Sequence, residues 1–188
     1  MPILGVIASS ISGNLYNASY DSIASTVVGA GGASDVTFSS IPAGYTHLQI
    51  RYSVRSAYAA GSDIVLMRVN GDSGNNYAAH RLYTDSSTIG SQGFTPQSYL
   101  LGPDCPAATA TASFFGSGVW DILDYADTNK NKVGRTLGGR SQDSVGYVWL
   151  NSSLWLNTSA ITSISFFCGN GNMIQNSVVS LYGIKVAA

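Results

Sequence analysis

The 188-residue chain contains no glutamate, and charged residues make up only 10% of it. Glutamate and lysine are the usual material of exposed helices, so the absence of the first and the scarcity of the second argue against helical architecture. The polar surface must come from serine, threonine, asparagine, glutamine and glycine. Such a surface sheds few ionic hydration shells when it meets another protein or a sugar. It also resists self-association poorly. A homo-oligomer or a docked subunit is therefore expected.

Other absences narrow the function further. The net charge of −1 leaves no basic footprint for nucleic acid, and the loose group Lys130, Lys132, Arg135 and Arg140 reads as a solvated loop. No apolar run is long enough to cross a membrane as a helix. The opening MPILGVIASSIS has no basic stretch before its apolar part, so no signal peptide is expected. Cys105 and Cys168 lie far apart and have no metal-type spacing. Cys168, inside ISFFC, reads as a buried free thiol, with a single disulfide left open. His47 and His80 form no zinc signature. No GxSxG elbow occurs. Asp121 and Asp124, three apart on an extended strand, face opposite sides and make a poor glycosidase pair. The chain is not expected to be an enzyme.

What the sequence does hold is a core and a period. Hydrophobic residues reach 45%, enough to fill the interior of one domain of this length. The clearest segment is THLQIRYSVRS, residues 46–56. Leu48, Ile50, Tyr52 and Val54 alternate with polar neighbours there, as on a half-buried strand. Further strands are expected over 22–28, 36–38, 64–70, 77–83, 97–101, 114–125, 133–137, 147–156, 161–168 and 178–184. The stretch between 83 and 97 reads as a Ser/Gly-rich loop, and 114–125 with 133–137 as a hairpin. The fold class is all-β: a single antiparallel β-sandwich or jelly-roll-like domain over 19–188.

Residues 1–18 differ. Ile3, Leu4, Val6, Ile7 and Ile11 are apolar but broken by Gly5, Gly13 and serine pairs, which spoils a helical face. They form either the first strand or an extended arm that docks on a neighbour. Two further kinds of site can be named. Tyrosine is abundant, at 11 residues, and Trp149, Trp155, Tyr77 and Tyr83 are candidates for stacking on a glycan or anchoring an interface. Asp127, Asn129 and Asn131 place oxygen ligands at alternate positions, as calcium loops do. The pattern then breaks at Lys132 and Gly138, and Lys130 and Lys132 would oppose a divalent cation, so no cofactor is expected and calcium is the one metal worth testing. Asp72, Asn75 and Asn76 form a second oxygen-rich loop that Asx turns explain equally well.

The segments VTFSSIPAGYTHLQIRYSVRS, RVNGDSGNNYAAHRLY, DILDYADTNKNK and SLYGIK, with the opening ILGVIASS, resemble a family of small proteins encoded by tailed phages of marine and fresh waters. The resemblance covers residues 3–185 and is weakest between Ser86 and Ala112. It implies a virion or virion-associated protein, made in the bacterial host cytoplasm and placed on the virion surface, and it identifies no catalytic residue. Its partners would be major capsid or tail proteins. A trimer would follow the habit of phage decoration and fibre proteins. Two roles compete: a capsid decoration or cement protein held by its N-terminal arm, and a tail-fibre or receptor-binding subunit that meets host polysaccharide through aromatics. A carbohydrate-active enzyme stands third.

Overall fold

The computed structural model describes residues 19–142 and 145–185. Twelve strands follow one another along those residues. They are β1 (Tyr20–Val27), β2 (Asp35–Phe38), β3 (His47–Val54), β4 (Ser62–Val69), β5 (Tyr77–Asp85) and β6 (Ile89–Gln97). After these come β7 (Leu100–Pro106), β8 (Gly116–Leu123), β9 (Lys132–Gln142), β10 (Val145–Trp155), β11 (Ile164–Cys168) and β12 (Val178–Ile184). The large sheet has the order β1-β12-β3-β8-β9-β10-β5-β6, and the small one β2-β11-β4-β7. All the pairings are antiparallel. The fold is an all-β sandwich, as the alternation of the sequence predicts.

The core sits between the sheets. From the large sheet come Leu48, Ile50, Trp120, Ile122 and Leu181; from the small one Val65, Met67, Ile164 and Phe166. Tyr52 and Phe166 meet across the layers with ring centroids 5.0 Å apart. Strand β3 shows the cause in one line: its even-numbered residues from Leu48 to Val54 are buried, while the odd ones between them are exposed or half-buried. Arg55 breaks that pattern. The strand ends at Val54, and the Arg55 side chain turns inward to donate to the carbonyls of Thr111, Ala110 and Phe114 at 2.6, 2.8 and 3.1 Å. It organises the loop before β8.

Strand β7 is buried on both faces. Leu100 joins the main core, whereas its neighbour Leu101 packs with Leu66 and Ala79, under Phe94 and Tyr99. The β5–β6 end of the large sheet thus lies against the second face of β7. The strand pairs with β4 alone, so its other edge is free, and β10 meets it with side chains. Asn151 Nδ2 donates to the Leu101 carbonyl at 3.0 Å, and Ser153 Oγ reaches the same oxygen at 3.5 Å. Close approach depends on Gly102, where a Cβ would lie 2.7 Å from the Val65 carbonyl and 2.9 Å from the Trp120 ring.

Two elements depart from the sequence expectation. Residues 89–97 form β6 rather than a loop, and the strand expected at 97–101 begins at Leu100 and runs to Pro106. Strand β7 carries Pro103 and Pro106, and an edge strand tolerates a residue that cannot donate outward. The hairpin of β8 and β9 forms as expected. The two thiols are free and buried, with Cys105 Sγ 3.9 Å from Cys168 Sγ. Strand β4 lies between the strands that carry them. The mutual hydrogen bond, with burial, pushes the Cys105 thiol well above its ordinary range. The arm residues Ile3, Leu4, Val6, Ile7 and Ile11 lie outside the described residues.

Candidate functional site

The aromatic candidates separate into two groups. Trp155 and Tyr77 are in the core, stacked with ring centroids 6.4 Å apart. They occupy neighbouring positions on β10 and β5, and strand alternation turns both inward. Each is tied by its polar end. Trp155 Nε1 donates to Asp72 Oδ2 at 2.7 Å, and Tyr77 Oη donates to the Asp72 carbonyl at 2.9 Å. These rings are closed to a glycan. The first of these bonds, with one from Asn76, holds the Asp72 carboxyl below its ordinary range. The Asp72 loop is the Asx turn anticipated from its sequence, with Gly74 N donating to Oδ1 at 2.8 Å.

Trp149 and Tyr83 do come together, with centroids 6.2 Å apart. The Trp149 ring is only 6% exposed, and the Arg81 guanidinium lies over it at 4.1 Å and over Tyr83 and Phe94 at 4.9 Å. The protein's own arginine therefore takes the ring faces that a sugar would need. Arg81 Nη2 also donates to Gln92 Oε1 at 2.6 Å. Asp104, on β7 nearby, has its carboxyl pushed up to about 6 by burial, against the opposing pull of Arg140 and Arg81. This cluster is a packed, charged closure of the sandwich edge. It has the residue types of a binding site, but Arg81 already lies over one face of each of the three rings.

The calcium-like loop is organised by lysines. Asp127 Oδ1 accepts from Asn129 N at 2.8 Å and from Asn129 Nδ2 at 3.0 Å. Lys130 Nζ bridges Asp124 Oδ2 at 2.6 Å and Asp127 Oδ2 at 3.4 Å. Lys132 is buried, and its Nζ donates to the carbonyls of Asp127, Lys130 and Thr158, the last two at 2.8 Å. The carbonyls that would face a bound cation face this ammonium. Among the described residues no group of three or more histidine, cysteine or aspartate side chains is placed to hold a metal. His47 accepts from Asp124 N at Nδ1, 3.0 Å away, and His80 stands exposed on β5. Asp121 is paired with Arg135 at 3.2 Å and accepts from Gln49, well separated in role from Asp124.

The outer face of the large sheet is the feature that the sequence reading missed. Register across four strands sets Val119, Leu137, Leu150 and Leu82 in one row. Four residues along, a second row reads Leu123, Val133, Leu154 and Ala78. Between them runs Asp121, Arg135, Ser152 and His80. Leu137, Leu150 and Leu82 are 51%, 48% and 51% exposed, and Val148 and Ile89 extend the band at 53% and 79%. A contiguous exposed apolar band marks an interaction surface, which singly scattered apolar residues do not. The signal was present in β10, where Val148, Trp149 and Leu150 put large apolar groups on both faces of one strand.

Comparison with known proteins identifies no relative: no family model, no curated protein and no solved structure matches the chain.

Proposed function

We propose that this chain is a non-enzymatic structural protein on the surface of a tailed-phage virion, a decoration or cement subunit that docks on the major capsid protein through residues 1–18. The observation that carries the reading is the exposed apolar band on the outer face of the large sheet. A band of this kind suits permanent assembly, since burying it gains roughly 25 cal/mol per Å2. The scarcity of charge and the resemblance of the sequence to phage proteins support the same role. The arm residues Ile3, Leu4, Val6 and Ile7 would add apolar area at the contact with the shell, offset in part by the entropy of ordering them. Repetition over an oligomer then turns a modest contact into durable attachment.

The test is to locate the protein on purified particles by electron cryomicroscopy. Density repeated over the shell is expected; its absence from the particle would end the reading. Density confined to the tail would support a second reading, a receptor-binding subunit. That alternative draws on the half-buried Tyr20 and Tyr182, stacked at 4.8 Å on the outer face; Arg51 lies over both rings, but at 5.3 and 5.7 Å, farther than Arg81 from Trp149.

A further inference from the structure

We infer that the apolar band on β8, β9, β10, β5 and β6 is covered by a second copy of this chain, packed sheet against sheet about a two-fold axis. The inference rests on the reading of the chain as an assembly subunit, and it is independent of which particle the subunit serves.

Charge decides the occupant. Over the five strands the outward positions carry two charged residues, Asp121 and Arg135, and these neutralise each other at 3.2 Å. A partner of opposite charge has nothing to recognise there. A second copy needs nothing else, because a face with no net charge does not repel itself. A two-fold contact sets the same patch against itself, so the patch must be self-complementary. The two leucine rows flank one polar row. In an antiparallel superposition the polar rows can therefore meet while leucine rows meet on both sides.

Shape and area agree. Leu150 stands between two shallow apolar hollows, one lined by Leu82, Ile89 and Val148, the other by Leu123, Val133 and Ser152. Facing sheets pack by setting side chains of one into such hollows of the other. Five strands at about 4.8 Å spacing, over seven residues' length, span on the order of 600 Å2 in projection. With side-chain relief this approaches the ~800 Å2 that each partner gives to a standard stable interface. A patch that pairs with itself joins copies two by two, so the contact gives a dimer in place of the trimer that the phage resemblance implies.

The experiment is sedimentation equilibrium of the purified full chain over a concentration series, at low and high salt. Wild type is expected to run as a dimer whose affinity holds or rises with salt, as an apolar contact should. Leu150→Asp and Val148→Lys, both at exposed positions, are expected to keep the wild-type circular dichroism and to raise the dissociation constant at least 100-fold. Val27→Asp, on an exposed apolar residue of β1 outside the band, should leave the dimer unchanged. A monomeric or trimeric wild type would overturn the inference, as would a dimer that both band variants leave intact. These outcomes are read without any particle, so a failure here is distinguishable from failure to find the protein on a virion.

Discussion

The two faces of the large sheet are built by the same strands, and on β10 both faces carry large apolar side chains. On the inner face Trp120, Trp149 and Trp155 are covered by the small sheet, by β7 and by Arg81. On the outer face Val148, Leu150 and Leu137 stand exposed, with no cover among the described residues. The faces differ less in hydropathy than in what their polar members do. Inside, Asn151 and Ser153 reach the free edge of β7, and Trp155 reaches Asp72. Outside, the polar row is a paired Asp121 and Arg135 with serine and histidine. The buried face is thus marked by side chains that close backbone or carboxylate groups on another layer, and the exposed face by polar groups that satisfy one another within the sheet.

The comparison can be broken or sharpened by substitution. The largest effect belongs to the inner face: Trp120→Ala, at a fully buried position, should cost about 3–5 kcal/mol in urea unfolding. A cost below about 1 kcal/mol would mean that the interior repacks freely and that inside and outside differ little. Next comes Lys132→Met, which leaves three carbonyls without their ammonium. It should cost about 2–3 kcal/mol, and a neutral result would show that water replaces the side chain.

Asp104 tests the interior with the opposite sign. Its folded acid titrates near 6, against an ordinary value of 3.8. The native state therefore holds its proton more tightly than the unfolded chain, and stability falls as pH rises from about 4 to about 6. Asp104→Asn should be close to wild type at pH 4 and more stable by about 3 kcal/mol at pH 8. Loss of stability at pH 8 would show that Arg81 and Arg140 need the carboxylate more than burial opposes it. The smallest effect is expected outside. Leu82→Ser should change the unfolding free energy of the dissociated chain by no more than about 0.5 kcal/mol, while weakening self-association. A large loss of stability there would erase the distinction between the faces.

Much of this fold was legible. Period-two alternation in β3 predicted which of its side chains point inward, and Asn70-Gly71, both at positive φ, sits where the turn signal NGDSGNN ends β4. Strand β6 was hidden because its sequence IGSQGFTPQ is mostly exposed, pairs on one side only and has no apolar face to alternate. Strand β7 was displaced because prolines mark the end of a central strand but not of an edge strand. Arg55 continues the alternation of THLQIRYSVRS in sequence, but the strand stops one residue earlier and its side chain turns inward. The aromatic candidates were half legible: sequence identified Trp149, Trp155, Tyr77 and Tyr83 as notable, but strand parity relative to the core decides their exposure. The outer band was hardest to read, since its rows are assembled from four separate segments and exist only in the register.

The loop after β8 has the outline of a cation-binding turn, and the cation it holds is tethered to the chain at Lys132. A turn that borrows an ion from the medium changes shape with salinity, dilution and chelators. This one carries its counter-charge covalently, so its geometry is as constant as its sequence. Dilution, added salt or a chelator should therefore leave that loop as it is.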